Sequence, residues 1–169
     1  VHPDALRTLL ARHDDVPKST TQDPREGYDP DELRRAIASG ALRCHCQPQV
    51  DLSTGRLVGV EILARWQHPI DGLVFPDRFI GLAEEAGLID ELTRSIVHSA
   101  LDETRAWRDA GLACRVAINL SMDNLGDPGL TDFVTDALAR TGLHPHDLVL
   151  EITESQLMKN PRAALDVLA

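Results

Sequence analysis

Two hydrophobic periods alternate along residues 31–169 and predict a mixed α/β chain. Apolar residues recur every second position, as is typical of strands, in the four segments LRCHCQPQVDL (42–52), LVGVEILARW (57–66), RVAINL (115–120) and LVLEI (148–152). Apolar residues recur at helical spacing in the segments 31–39, 75–87, 90–110, 128–141 and 161–169. The order of these segments suggests a sheet covered by helices.

The connections between the segments predict how the strands pair. Only the short turn 53–56 separates the first two strands, so they should form an antiparallel hairpin. After the hairpin the order is helix, strand, helix, strand, helix. Such an order gives parallel strands with helices packed outside them.

The first 30 residues have a different character. Residues 1–15 predict a short amphipathic helix, with Pro3 near its start. The polar segment 16–29, VPKSTTQDPREGYD, contains two prolines and one glycine and is typical of a linker. We therefore place a linker at residues 16–30 and the start of a separate domain at residue 31.

Side-chain alternation places polar groups on one face of the predicted sheet. In the second strand Val58, Val60, Ile62 and Ala64 form a purely apolar face that should meet the helices. Glu61, Leu63 and Arg65 then point to the inner face. The same alternation on the other three strands predicts that the side chains of Gln47, Asn119 and Glu151 also point to the inner face.

Composition narrows the possible partners. The formal net charge of −10 argues against a nucleic-acid polymer, because a polyphosphate requires a basic surface. No apolar run is long enough to span a bilayer, and no signal segment opens the chain. Three cysteines without a C-x-x-C pair predict free thiols in a reducing compartment. The expectation is a cytoplasmic protein without a membrane segment.

The inward polar residues form a candidate site. Burying an unpaired carboxylate costs several kcal/mol, so Glu61 and Glu151 need partners. Together with Asn119 they offer the oxygen ligands that Mg²⁺ and Mn²⁺ prefer, and Arg65 offers a fork for phosphate. A solvated Glu at a strand end or an Asn in a turn would explain each residue singly. The pattern alone therefore indicates a candidate metal site in an α/β barrel, whose active sites lie at this end of the strands.

Several motifs of the chain resemble those of the EAL family of cyclic di-GMP phosphodiesterases. GVEILARW (59–66) is similar to the signature that names the family. QHP, GL, Pro76, FI (79–80) and AEEAGLI (83–89) follow it in the family's order, and NLS (119–121) and EITES (151–155) match two further motifs. The resemblance covers residues 31–169 and implies a modified (β/α)₈ TIM-type barrel with an antiparallel first strand, present here only in part.

The resemblance also implies roles for individual residues. Glu61, Asn119 and Glu151 would bind Mg²⁺ or Mn²⁺. Gln47, Leu63 and Arg65 would contact cyclic di-GMP, with Arg65 at a phosphate and Leu63 at the guanine. Glu154 would brace an active-site loop. The implied reaction is two-metal hydrolysis of one phosphodiester bond to give linear pGpG.

Two substitutions and the length depart from the family pattern. Ile62 replaces the signature alanine and Cys46 replaces an aromatic residue, but both should face the helices. A complete barrel needs roughly 250 residues. The family's acidic loop and catalytic lysine do not occur, so the base is expected beyond residue 169. We expect the 169-residue chain by itself to be inactive and, because strand edges would be exposed, to self-associate, for example as a homodimer.

Two questions stay open from the sequence. The parent domain could be an active phosphodiesterase or a degenerate EAL module that binds cyclic di-GMP or a protein without catalysis. Residues 1–15 resemble the last helix of a receiver domain, which would make the parent a response regulator, but a generic docking helix fits as well.

Overall fold

The structure is a computed structural model, and it describes residues 27–152. The helices are α1 (Pro30–Ala38), α2 (Ile80–Glu85), α3 (Ile89–Asp109) and α4 (Leu130–Thr141). The strands are β1 (Leu42–Val50), β2 (Leu57–His68), β3 (Gly72–Val74), β4 (Arg115–Asn119) and β5 (Leu148–Glu151). Short 3₁₀ turns lie at Pro76–Arg78, Asp123–Gly126 and Pro145–Asp147.

The five strands form one sheet with the order β1-β2-β4-β5, and β3 pairs with β2. β1 and β2 are antiparallel, whereas β2–β4 and β4–β5 are parallel. The hairpin and the parallel strands that the sequence predicts are therefore confirmed. A mixed sheet with helices along one face is what the sequence predicts for the first part of a barrel whose first strand runs antiparallel. Within residues 27–152 no helix is long and apolar enough to cross a bilayer.

The turn between β1 and β2 is held by Asp51. Its carboxylate accepts hydrogen bonds from the hydroxyl and backbone N–H groups of Ser53 and Thr54. These hydrogen bonds hold the pKa of Asp51 at about 2. The charged Oδ1 of Asp51, which accepts all four hydrogen bonds, stabilises the turn that connects β1 and β2.

The segment between β2 and α3 differs from the prediction in two ways. A short strand, β3, pairs with the end of β2, with Trp66 opposite Val74. The single helix predicted at 75–87 is divided into a 3₁₀ turn and α2 at Phe79, whose φ of −133° is not helical. The cause is packing, because Phe79 is fully buried and lies edge-on to Trp66, with 6.1 Å between the ring centroids.

The core lies between the sheet and the helices. Of the predicted apolar face of β2, Val60 and Ile62 are at most 2% exposed and face the helices, Ala64 is half-buried, and Val58 near the start of the strand is 40% exposed. The stripe predicted on α3 is buried throughout: Leu92, Ile96, Ala100, Leu101, Thr104 and Trp107. Each fully buried large side chain stabilises the fold by about 1.5–3 kcal/mol. The predicted helices at 1–15 and 161–169 lie outside the described residues, and the domain boundary near residue 31 stays a prediction.

Candidate functional site

The strand register brings the predicted site residues of four strands to one part of the sheet. Gln47 of β1 lies opposite Glu61 of β2, and Glu61 lies beside Ala117 of β4. Two residues further along β4, Asn119 lies opposite Glu151 of β5. Because the parallel strands β2, β4 and β5 present their carboxyl ends at one edge, Glu61, Asn119 and Glu151 lie on neighbouring strands towards the edge where barrel active sites form.

Glu61 and Asn119 are in direct contact. The Asn119 side-chain amide Nδ2 donates a hydrogen bond of 2.8 Å to Glu61 Oε1. Beyond Asn119 the ladder continues, since the Leu120 N–H donates to the Glu151 carbonyl oxygen at 2.8 Å. Glu61 and Glu151 are half-buried and Asn119 is exposed. The arrangement offers two carboxylates and an amide oxygen to a ligand from the inner side of the sheet.

Arg65 carries an unused donor. Its Nη1 donates to the Ala64 carbonyl oxygen at 2.8 Å, and its guanidinium carbon lies 4.6 Å from the centroid of the Phe75 ring. Its Nε is buried and has no hydrogen-bond partner among residues 27–152. Burial lowers the pKa of Arg65, whereas the charge of Asp77 acts in the opposite direction. A buried, unpaired N–H on a cation indicates a place for an anionic acceptor.

A mainly apolar cavity of about 360 Å³ opens beside Leu63. It reaches between the sheet and helix α3 and touches the polar site at Asn119 and Ser121. Its lining consists of Ile62, Leu63, Ala64, Pro76, Ile80, Ile89, Leu92, Thr93, Ile96, Ile118, Asn119, Leu120 and Ser121.

The loop that follows Asn119 is fastened by a buried amide that sequence reasoning missed. Asn124 is 1% exposed and accepts hydrogen bonds from the Thr93 hydroxyl and the Ser121 N–H, both at 3.0 Å. Its Nδ2 donates to Asp90 Oδ1 at 2.8 Å. An asparagine in a loop is an ordinary turn residue, so its sequence position gives no signal of this role.

Glu84 is a second residue whose role the sequence analysis missed. Two adjacent glutamates on a helix are typical of a solvated surface, and that description fits only the exposed Glu85. Glu84 is half-buried and accepts a hydrogen bond of 2.6 Å from the Ser121 hydroxyl. The AEEAGLI motif thereby supports the loop after β4.

The remaining predictions concern Glu154 and the cysteines. Glu154 lies outside the described residues, so its role stays a prediction. Cys44 and Cys114 are buried, and burial raises the pKa of each thiol. Within residues 27–152 no three His, Cys, Asp or Glu side chains come together as a metal-binding group. The oxygen donors on the three parallel strands are the carboxylates of Glu61 and Glu151 and the side-chain amide of Asn119.

The sequence is similar to those of two named proteins of Pseudomonas aeruginosa. The chain is 41% identical over 138 residues to the bifunctional diguanylate cyclase/cyclic di-GMP phosphodiesterase MucR of Pseudomonas aeruginosa, covering 81% of this chain and 20% of MucR. It is 44% identical over 131 residues to the cyclic di-GMP phosphodiesterase NbdA of the same organism, covering 77% of this chain and 17% of NbdA. The chain thus spans about a fifth of these relatives.

Solved structures give the same result for the fold. The MucR phosphodiesterase in complex with c-di-GMP superimposes with a TM-score of 0.75 at 40% identity, over 82% of this chain and 56% of that one. The EAL domain of FimX from Pseudomonas aeruginosa bound to c-di-GMP gives a TM-score of 0.72 at 26% identity, over 83% and 56%. The family model for the EAL domain matches residues 30–169. The chain belongs to the EAL domain family.

Proposed function

We propose that the barrel to which residues 31–169 contribute is a cyclic di-GMP phosphodiesterase that hydrolyses one phosphodiester bond to linear pGpG. The observation that carries the proposal is the meeting of Glu61, Asn119 and Glu151 on three adjacent strands, with Glu61 and Asn119 in direct contact. The names of MucR and NbdA, both similar to this chain, support the substrate and the reaction.

Mg²⁺ or Mn²⁺ is the proposed cofactor. The donors of the site are carboxylate and amide oxygens, the hard ligands that both ions prefer, so the residues fit the group. Glu61, Asn119 and Glu151 would hold it. When bound, such ions supply a Lewis acid beside the scissile phosphate. The hydrogen bond from Asn119 Nδ2 holds the Glu61 carboxylate in place. It leaves the amide oxygen Oδ1 of Asn119 as the atom that would bind an ion.

The other predicted residues bind and orient the nucleotide in this proposal. The unpaired Nε of Arg65 binds a phosphate oxygen, which satisfies the buried donor. Leu63, on the same face of β2 as Glu61 and Arg65, presents an apolar side chain to a guanine. Gln47, opposite Glu61 on β1, contacts the substrate from the other side of the glutamate. We assign no catalytic base among these residues.

The test uses the complete natural polypeptide that contains this sequence, incubated with cyclic di-GMP and either Mg²⁺ or Mn²⁺. We expect linear pGpG, no product in the presence of a chelator, and loss of product in Glu61→Gln. The matched control is Glu85→Gln, the same change at an exposed helix position, which should leave turnover unaltered.

Three outcomes separate the hypotheses. Metal-dependent turnover that depends on Glu61 and not on Glu85 supports the phosphodiesterase. Tight binding of cyclic di-GMP without any product, with both ions, would instead identify a binding module without catalysis. Absence of both binding and turnover would refute the proposal.

A further inference from the structure

Phe75 is an aromatic side chain exposed at the edge of the candidate site. Its side chain is 51% exposed, whereas Phe79 is fully buried and Phe133 is half-buried against the core. Phe75 follows β3, whose last pair with β2 is Val74 with Trp66. Arg65 and Phe75 each lie one residue beyond that pair, so they are cross-strand neighbours.

The Arg65 guanidinium lies against this ring. Its central carbon is 4.6 Å from the ring centroid, within the range in which a cation is attracted to the face of an aromatic ring. A guanidinium also packs well on an aromatic surface because it is flat and weakly hydrated. The aromatic character of Phe75, and not only its bulk, therefore holds the arginine.

The orientation of Arg65 leaves a donor free. One terminal nitrogen, Nη1, donates to the Ala64 carbonyl oxygen, so this side of the group is fixed by the backbone. The ring of Phe75 covers one face of the group. Between these two contacts the buried Nε has no acceptor among the described residues. An arginine without the ring could rotate about its side-chain bonds and satisfy Nε with water instead.

We propose that Phe75 is a positioning residue for a substrate phosphodiester. Its ring holds the Arg65 guanidinium so that the unpaired Nε faces a phosphate oxygen of the nucleotide. The inference rests on the proposed function and adds to it a specificity element outside the sequence motifs of the site. It also explains why an aromatic side chain is kept half-exposed at this position.

The experiment measures kcat and KM for cyclic di-GMP with the complete natural polypeptide and its variants. Phe75→Leu keeps an apolar side chain but removes the aromatic face, and should raise KM roughly three- to tenfold. The value of kcat should change by less than about twofold, because ground-state and transition-state binding are weakened equally. Phe75→Tyr keeps the ring and should restore the KM of the unaltered protein.

Two controls exclude a structural effect. Leu52→Ala removes a side chain that is 97% exposed in the β1–β2 turn, far from Phe75 in the chain and outside the site, and should leave KM unchanged. Thermal unfolding of Phe75→Leu should match that of the unaltered protein, since the side chain is half-exposed. If Phe75→Leu lowers kcat in parallel with a loss of folded protein and leaves KM unchanged, the residue is only structural and the inference is wrong.

A double-mutant cycle with Arg65→Ala separates positioning from direct stacking on the substrate. If Phe75 acts through Arg65, Phe75→Leu should have no further effect on KM once the guanidinium is gone. Additive effects would show that the ring contacts a base directly and would overturn the inference, as would an unchanged KM in Phe75→Leu. A polypeptide that neither binds nor hydrolyses cyclic di-GMP would refute the proposed function, and this inference with it.

Discussion

On the helix-facing side of β2, Val60, Ile62 and Trp66 are at most 2% exposed, whereas Glu61 and Arg65 on the other side are only half-buried. The first side packs against the helices through apolar contacts. The second side retains charged groups, one of which has an unpaired donor. A single strand thus carries the core on one face and the candidate chemistry on the other.

The two faces depend on each other because strand side chains alternate. A slip of one residue would exchange them and bury Glu61 against the helices, at a cost of several kcal/mol. The tightly packed face therefore fixes which residues stand at the site. The inner face can then keep groups that are poor for stability but available to a ligand.

The largest effect is expected from breaking the inner face at Glu61. Glu61→Gln keeps the size of the side chain and an oxygen that can accept from Asn119, but removes the negative charge. Loss of a proposed metal ligand should lower metal-dependent hydrolysis of cyclic di-GMP by roughly a hundredfold or more. Thermal unfolding should shift little, and this pair of measurements checks the prediction. Full activity in the variant would show that Glu61 is not a metal ligand.

Substitution of the adjacent Ile62, on the helix-facing side, should lower stability and leave metal-dependent turnover in place. Ile62→Ala removes bulk from a side chain that is 2% exposed, and should lower the free energy of unfolding by about 2–5 kcal/mol. Metal-dependent turnover should persist at temperatures where the variant is folded. Denaturant unfolding and activity assays at low temperature measure the two effects.

Val58 provides the matched control for this prediction. It lies on the same face of β2 but is 40% exposed. Val58→Ala should therefore cost less than about 1 kcal/mol of stability. Equal losses for Val58→Ala and Ile62→Ala would mean that burial does not distinguish these positions. Loss of metal binding in Ile62→Ala would contradict the assignment of the faces.

The outer face also contains thiols whose ionisation should affect stability at alkaline pH. Burial, aided by the nearby charge of Glu103, raises the pKa of Cys44 and of Cys46 to about 12. The unfolded thiols ionise near pH 8.5. A pKa raised in the folded state gives stability that is fully present below pH 8.5 and is lost as the pH rises towards 12.

The expected slope is up to about 1.4 kcal/mol per pH unit for each thiol. Comparing the double variant Cys44→Ala/Cys46→Ala with the unaltered protein removes the contribution of other titrating groups. Unfolding free energies measured between pH 8 and pH 11 should fall less steeply in the double variant. Identical slopes would show that the thiols ionise equally well in the folded protein.

Much of the outer face could be predicted from the sequence. The alternation along residues 57–66 and the helical stripe on α3 both follow from apolar periodicity, and both are confirmed. The strand β3 could not be predicted in this way, because its three residues are too few to show a period. The break at Phe79 was also missed, since it arises from contact with Trp66 in the folded core.

The inner site was predictable in part. Alternation and family motifs singled out Glu61, Asn119 and Glu151, and the register places them on adjacent strands. Their roles as ligands stay a prediction. The network around Asn124 depends on contacts between segments far apart in the chain, and the contact between Arg65 and Phe75 depends on the pairing of β2 with the missed strand β3. No local sequence pattern encodes such distances.

The smallest effect is expected where helix α2 supports the loop of the inner site. Glu84 on this helix accepts a hydrogen bond from the hydroxyl of Ser121, two residues after Asn119. Glu84→Ala should lower stability by about 1 kcal/mol, because Ser121 is 7% exposed and would lose its acceptor. The metal concentration required for half-maximal turnover should rise by less than about tenfold, since the substitution acts on a ligand only through the loop.

The neighbouring Glu85 sharpens this last test. Glu85→Ala makes the same change on the same helix, but at an exposed position, and should alter neither stability nor the metal requirement. Titrations of Mg²⁺ or Mn²⁺ with the two variants compare them directly. A higher metal requirement in Glu84→Ala alone would mean that the contact of α2 with Ser121 helps to hold Asn119 in position. An equal metal requirement in the two variants would mean that the hydrogen bond between Glu84 and Ser121 does not affect the site.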